Sequence, residues 1–266
     1  MFSKTTVVVG TLSVCAGLAA AQGSWTAVSI TGSPDPIIQF DLGNPGGSQV
    51  QIGTTNGNFN RGFDWADQNT AYYHVPTDLL NNPGDRGIYR YDALSNTSTQ
   101  IFAFGFDDSG AAGGAYANGS YWFNADEGNG DTLFRYDIGS GTLNTLGATG
   151  LTGIQGLAVD AAGRIVAIDT DDNLYELDGS SGASSLVGNL GIDVNAIGGL
   201  DYSADGQLVA LTDFGLLYAV DDTTGAAGTF FGDLAFNGST LSFRVPTPGA
   251  AGVLALGGLV AARRRR

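Results

Sequence analysis

The chain has 266 residues, of which 43% are hydrophobic and 14% charged, with 42 glycines and only 7 prolines. That apolar share is enough for a packed core and excludes a disordered acidic polymer. A net charge of −15 repels phosphate backbones and excludes nucleic acid as a natural partner.

The charge is also unevenly placed. With Lys4 and Arg263–Arg266 set aside, six arginines face 26 acidic residues, a balance of −20 over the body, and no lysine remains there. Such a surface fits an exported soluble domain that meets salt or divalent cations. The single Cys15 lies in the N-terminal apolar run, so a processed chain has no disulfide, thiolate zinc site or thiol nucleophile.

Residues 1–21 read as a signal peptide. Lys4 supplies the basic region, Val7 to Leu18 the apolar run, and Ala19-Ala20-Ala21 the small-residue pattern that places cleavage before Gln22. Ala19, Ala21 and Gln22 are the cleavage-site residues. Lipidation at Cys15 is the weaker alternative, because Val14 is bulky where bacterial lipoprotein signals carry a small residue.

Residues 22–245 carry a repeat. Leu157, Gly163, Leu174, Tyr175, Asp178 and Gly182 recur 43 residues later as Leu200, Gly206, Leu217, Tyr218, Asp221 and Gly225. Within one unit, short apolar runs bounded by Gly, Asp, Asn and Ser predict four strands, over 156–160, 164–169, 173–178 and 184–188. Four strands in about 43 residues is the size of one β-propeller blade.

Five anchors end in the aspartates Asp41, Asp92, Asp137, Asp178 and Asp221, at intervals of 51, 45, 41 and 43 residues. The longest interval holds the turn-rich insertion Pro76 to Arg86. Each aspartate precedes a turn, and its side chain is expected to bond its own backbone while a glycine supplies positive φ.

The ends predict the ring closure. Trp25–Ile30, Ile37–Asp41 and Ser48–Gly53 read as the second, third and fourth strands of a blade without a first, and Thr240–Val245 supplies the missing strand. If Leu234–Phe236 were itself an inner strand, the closure would be two plus two. Either way the expectation is an all-β fold, a five-bladed propeller of four-stranded antiparallel blades closed by strands from both termini. In Gly156-Leu157-Ala158-Val159-Asp160, Gly163 to Asp169 and Leu174 to Asp178, the unit resembles the repeats of NHL and related propellers. That resemblance implies a fold and selects no activity.

Residues 246–266 follow as a separate cassette. Val245-Pro246-Thr247-Pro248 breaks the last strand, Gly249 to Ala262 is apolar and uncharged, and Arg263, Arg264, Arg265 and Arg266 close the chain. A helix over that run would reach about 21 Å against a hydrocarbon core of ~30 Å, a short and marginal anchor. The order Pro motif, short apolar helix, arginine cluster resembles the PEP-CTERM sorting signal of bacterial envelope proteins, with Thr247 where that family has glutamate. The resemblance implies processing by an exosortase-like membrane protease after passage through the export machinery, and delivery to the cell surface or matrix. A plain tail anchor is the other reading, with the membrane touched only through this segment.

Catalytic machinery is sparse. His74 lies in an expected second strand, no Gly-x-Ser-x-Gly elbow accompanies it, and it is read as structural. Gly-rich 109–114 lacks a lysine and is no phosphate loop. Acidic loops 126–131 and 169–173, with Asp78, Asp85, Asp107, Asp108 and Asp193, fall on one expected face, where Ca²⁺ would need six to eight oxygens. Asp, Asn and Gly are also what tight turns require, so solvated turns are the preferred reading and no catalytic or metal residue is assigned. The functional expectation is a non-enzymatic exported module for an extracellular ligand. Its alternative is a metal-dependent propeller hydrolase or lyase acting on a lactone or polysaccharide at an acidic channel mouth.

Overall fold

In the computed structural model, residues 24–29, 34–56, 60–76, 85–105, 113–126, 130–193 and 198–244 are described. They form five four-stranded antiparallel sheets. Blade 1 joins β1 (Ser24–Ser29), β2 (Pro36–Phe40) and β3 (Val50–Thr54) to the last strand, β20 (Gly238–Arg244), at its inner edge. Blade 2 runs β4 (Arg61–Trp65), β5 (Thr70–Val75), β6 (Gly87–Asp92), β7 (Thr97–Ala103). Blade 3 runs β8 (Gly114–Ala117), β9 (Ser120–Asp126), β10 (Asp131–Asp137), β11 (Thr142–Ala148). Blade 4 runs β12 (Gly156–Val159), β13 (Ile165–Ile168), β14 (Asn173–Leu177), β15 (Ser184–Asn189). Blade 5 runs β16 (Gly199–Tyr202), β17 (Leu208–Leu211), β18 (Leu216–Val220), β19 (Ala227–Asp233). The inner strands β4, β8, β12, β16 and β20 pack each against the next, and β20 returns to β4, so the ring is closed.

Closure is therefore one strand plus three, since Leu234–Phe236 is a connection whose Leu234 fills the core. β20 pairs along the whole of β1, from Ser24 opposite Arg244 to Ser29 opposite Gly238. Physically this seam joins the two ends of the body and leaves no inner edge open.

The two-residue period of a strand explains the core. Alternate side chains of one strand point to opposite faces of its blade, and both faces meet a neighbouring blade. Thus Ile165 and Ala167 of β13 pack toward blade 3, while Val166 and Ile168 pack toward blade 5. Likewise Tyr73 packs against blade 1 and Tyr72 against blade 3. The result is five apolar clusters, one at each blade interface. Strands near the axis read as continuous apolar runs, such as buried Ile165–Ile168 and Leu208–Leu211. Outer strands such as Ser184–Asn189 have no fully buried residue and face water along their length.

The anchor aspartates do what their spacing predicts. Asp92, Asp178 and Asp221 each accept two backbone N–H bonds from the following turn, and Asp137 and Asp41 one each from Ser140 and Gly43. Gly141, Gly182 and Gly225 then turn the chain at φ of 68°, 77° and 78°. Donors from Ser180 and Ser181 pull the Asp178 carboxyl down to about 2.

Inner strands approach too closely for side chains at some points. A Cβ on Gly199 would run into the Leu241 amide nitrogen and the Thr240 carbonyl carbon of β20 in the next blade. Gly199→Ala is expected to lower stability by about 1–3 kcal/mol through forced backbone shifts. Gly105→Ala, where a Cβ meets nothing within 4 Å, should be near neutral in the same thermal melts.

Candidate functional site at the channel mouth

The inner strands all run in the same sense, so their C-terminal ends form one rim of the central channel. At this rim lies a hollow of about 220 Å³, lined from all five blades, with Asp64, Trp65, Tyr116, Asp201, Tyr202 and Phe243 among its walls. Deeper in the channel the strands converge on Gly62, Gly114, Gly156 and Gly199, leaving a waist of about 10 Å³, room for one water-sized group. Thr240 lines that waist, 3% exposed, with no hydrogen-bond partner for its Oγ1.

Two carboxylates flank the closing strand. Asp64 Oδ1 accepts from the Ser242 hydroxyl at 2.6 Å and from Trp65 N–H at 2.7 Å, and its Oδ2 accepts from Tyr116 N–H of blade 3 at 2.6 Å. Asp201 accepts from Phe243 N–H at 2.6 Å and from Tyr202 N–H at 2.7 Å. Each is only 7% exposed. Burial pushes Asp64 up to about 6, although its three donors pull the other way. Burial raises Asp201 well above the usual carboxylate range, and the charge of Asp64 raises it further.

No basic side chain among the described residues forms an ion pair with either carboxylate. Arg164, the nearest candidate by sequence to the rim turn at Asp160, is engaged by Glu176 and Asp222 at 2.7 Å each. Arg244 stacks over Trp65 at 4.4 Å and donates to the Gln68 carbonyl and Gln39 Oε1. Asp160 itself is occupied by the N–H groups of Ala162 and Arg164.

Asp131 and Asp169, from the acidic loops singled out by sequence, lie at the opposite rim, and each accepts backbone N–H groups. Asp131 accepts from Ile154 N–H at 2.7 Å and from the Asn124 amide at 2.8 Å. Asp169 accepts from Asp171 and Asn173 N–H. Among the described residues, no three His, Cys, Asp or Glu side chains stand close enough to share a metal ion. Asp78, Asp107, Asp108 and Glu127 lie outside the described residues, as do the cleavage residues Ala19, Ala21 and Gln22 and the tail residues Val245, Pro246, Thr247, Pro248 and Arg263–Arg266. Among the described residues no helix is long and apolar enough to cross a membrane.

His74 is where the sequence puts it, on β5 and fully buried. Tyr121 Oη has one proton and donates it to the Gly62 carbonyl at 2.8 Å, so it accepts from His74 Nδ1–H at 2.8 Å. The ring is thus neutral with Nε2 unpartnered, and burial holds its pKa down to about 3. It links two blades and is not presented to the channel hollow.

The aspartate pair was findable in one way. The 43-residue register sets Asp201 against Ala158, a carboxylate where the sister blade has a buried methyl group. A charge at a core position of a repeat is the signal of a special site.

No family model matches the sequence, and no curated protein matches it. Its architecture is nevertheless shared with solved structures. A chain in the crystal structure of a nidogen/laminin complex superposes with a TM-score of 0.57 at 9% identity, covering 84% of this chain and 98% of that one. TolB from Acinetobacter baumannii superposes with a TM-score of 0.53 at 17% identity over 83% of this chain. What they share is the propeller. The match covers 54% of the TolB chain, so the present chain spans about half of its length. Identities this low speak to fold alone.

Proposed function

We propose that the protein is an exported, non-enzymatic propeller module of a bacterial envelope, sorted to the cell surface or matrix by its C-terminal cassette, where it binds an extracellular ligand. The observation that carries this reading is the order of parts. A propeller closed on itself at Ser24 and Arg244 is flanked in the sequence by two apolar segments that lie outside the described residues. In support, one of the similar propeller chains comes from a complex of two proteins. Mass spectrometry of the mature protein from its native host tests the proposal. A start at Gln22 and an end upstream of Arg263 are expected, and an intact Arg266 would overturn the sorting step.

A second reading, a propeller hydrolase or lyase, draws on Asp64, an acid poised near neutrality in a channel hollow. In its metal-dependent form it predicts that Ca²⁺ added after chelation raises the melting temperature of the body. The binding-module reading predicts no shift.

A further inference from the structure

Resting on the reading of this protein as a binding module, we propose that the channel-mouth hollow receives a small protonated amine or guanidinium group, held against Asp64 and Asp201 and enclosed by the aromatic walls. Three independent observations point there. The hollow of about 220 Å³ is the size of one cationic side chain, below the range of drug-sized pockets. Two nearly buried carboxyl groups in it have backbone and hydroxyl donors but no cation among the described residues, and a buried carboxyl is held in its charged form only when a cation pairs with it. Finally, Tyr116, Tyr202 and Phe243 stand in its wall beside Trp65, whose ring Arg244 already covers, and aromatic faces attract ammonium groups once these are desolvated. Below, the unpartnered Thr240 hydroxyl offers one more acceptor to a group or water at the waist.

Calcium fits this set less well. Asp64 and Asp201 spend five lone-pair sites on N–H and O–H donors, whereas Ca²⁺ needs six to eight oxygens. An ammonium or guanidinium needs only a few acceptors and benefits from the low dielectric of the hollow.

Butylammonium chloride is the probe, titrated into the mature protein by calorimetry, with butanol as the uncharged control. Saturable binding is expected at pH 7.5, none with butanol, and about tenfold weaker binding at pH 5, where an acid titrating near 6 has lost most of its charge. Asp64→Asn with Asp201→Asn should abolish binding, while Asp233→Asn should keep it. If the double variant does not fold, the pH dependence in the unaltered protein decides. No saturable binding at pH 7.5, or binding indifferent to pH, would overturn the proposal, as would competition-free binding of Ca²⁺ in place of butylammonium. Such failure leaves the mature termini unchanged, so it is distinguishable from failure of the export reading.

Discussion

Removing the last strand, by ending the chain before Gly238, is expected to abolish the cooperative thermal transition of the body. β20 is seven residues long, and all but its last two are buried. It occupies the inner position of blade 1 and touches blades 2 and 5. Its loss exposes one edge of β1 along six paired residues. It also takes Leu241 from the core, worth about 2 kcal/mol. The single Ser239 hydroxyl proton, shared between the Val28 and Asn60 carbonyls, is lost to them, and Asp64 and Asp201 lose the Ser242 and Phe243 donors. Each buried group left without its partner costs about 1–3 kcal/mol, so together with Leu241 they are comparable to the 5–15 kcal/mol typical of a whole domain. Near-UV circular dichroism during a melt is the measurement. A fragment that unfolds at the parent temperature would show that closure by β20 is dispensable, whereas restoration by a synthetic peptide of residues 238–244 would support it.

The second large effect is a pair of opposed pH dependences. His74 is neutral in the fold with a pKa near 3, against about 6.5 when unfolded. Its contribution is complete above pH 6.5 and is lost as pH falls toward 3, on the order of 4–5 kcal/mol at the acid end. Asp64 behaves in the reverse sense, with a folded pKa near 6 against 3.8. The folded state binds its proton more tightly, so stability is greatest below pH 3.8 and declines as pH rises to 6, by roughly 3 kcal/mol. Asp201 acts in the same direction. Between pH 4 and 6.5 the slopes partly cancel in the parent protein. His74→Phe should therefore leave a protein that grows more stable on acidification, and Asp64→Asn combined with Asp201→Asn one that grows less stable. Melting temperatures across that window, compared between the two variants, check the signs, and parallel slopes would rule the account out. The turn aspartates stay out of the window because their carboxyls are held below the usual range.

Much of this architecture is legible in the residues because it rests on local chemistry repeated five times. An Asp that bonds the next backbone N–H groups and a Gly at positive φ mark a turn wherever they occur, and Asp178 with Gly182 and Asp221 with Gly225 do so 43 residues apart. The apolar runs of β13 and β17 likewise announce strands buried on both faces. Of the acidic loops, read in sequence as solvated turns, Asp169 bonds its own turn, whereas Asp131 is buried and reaches the Ile154 N–H 23 residues on, a contact no local pattern announces. Asp64 and Asp201 look like ordinary strand residues 137 positions apart, and only ring closure sets them on either side of β20.

By itself the order of residues determined the strands, their turns and the number of blades, since each depends on contacts within a few dozen positions. The tertiary structure alone decided which rim carries the buried acids, and that closure takes one strand plus three. Both depend on contacts between segments nearly the whole body apart, as between Thr26 and Ser242, whose pairing energy appears only after the ring has closed.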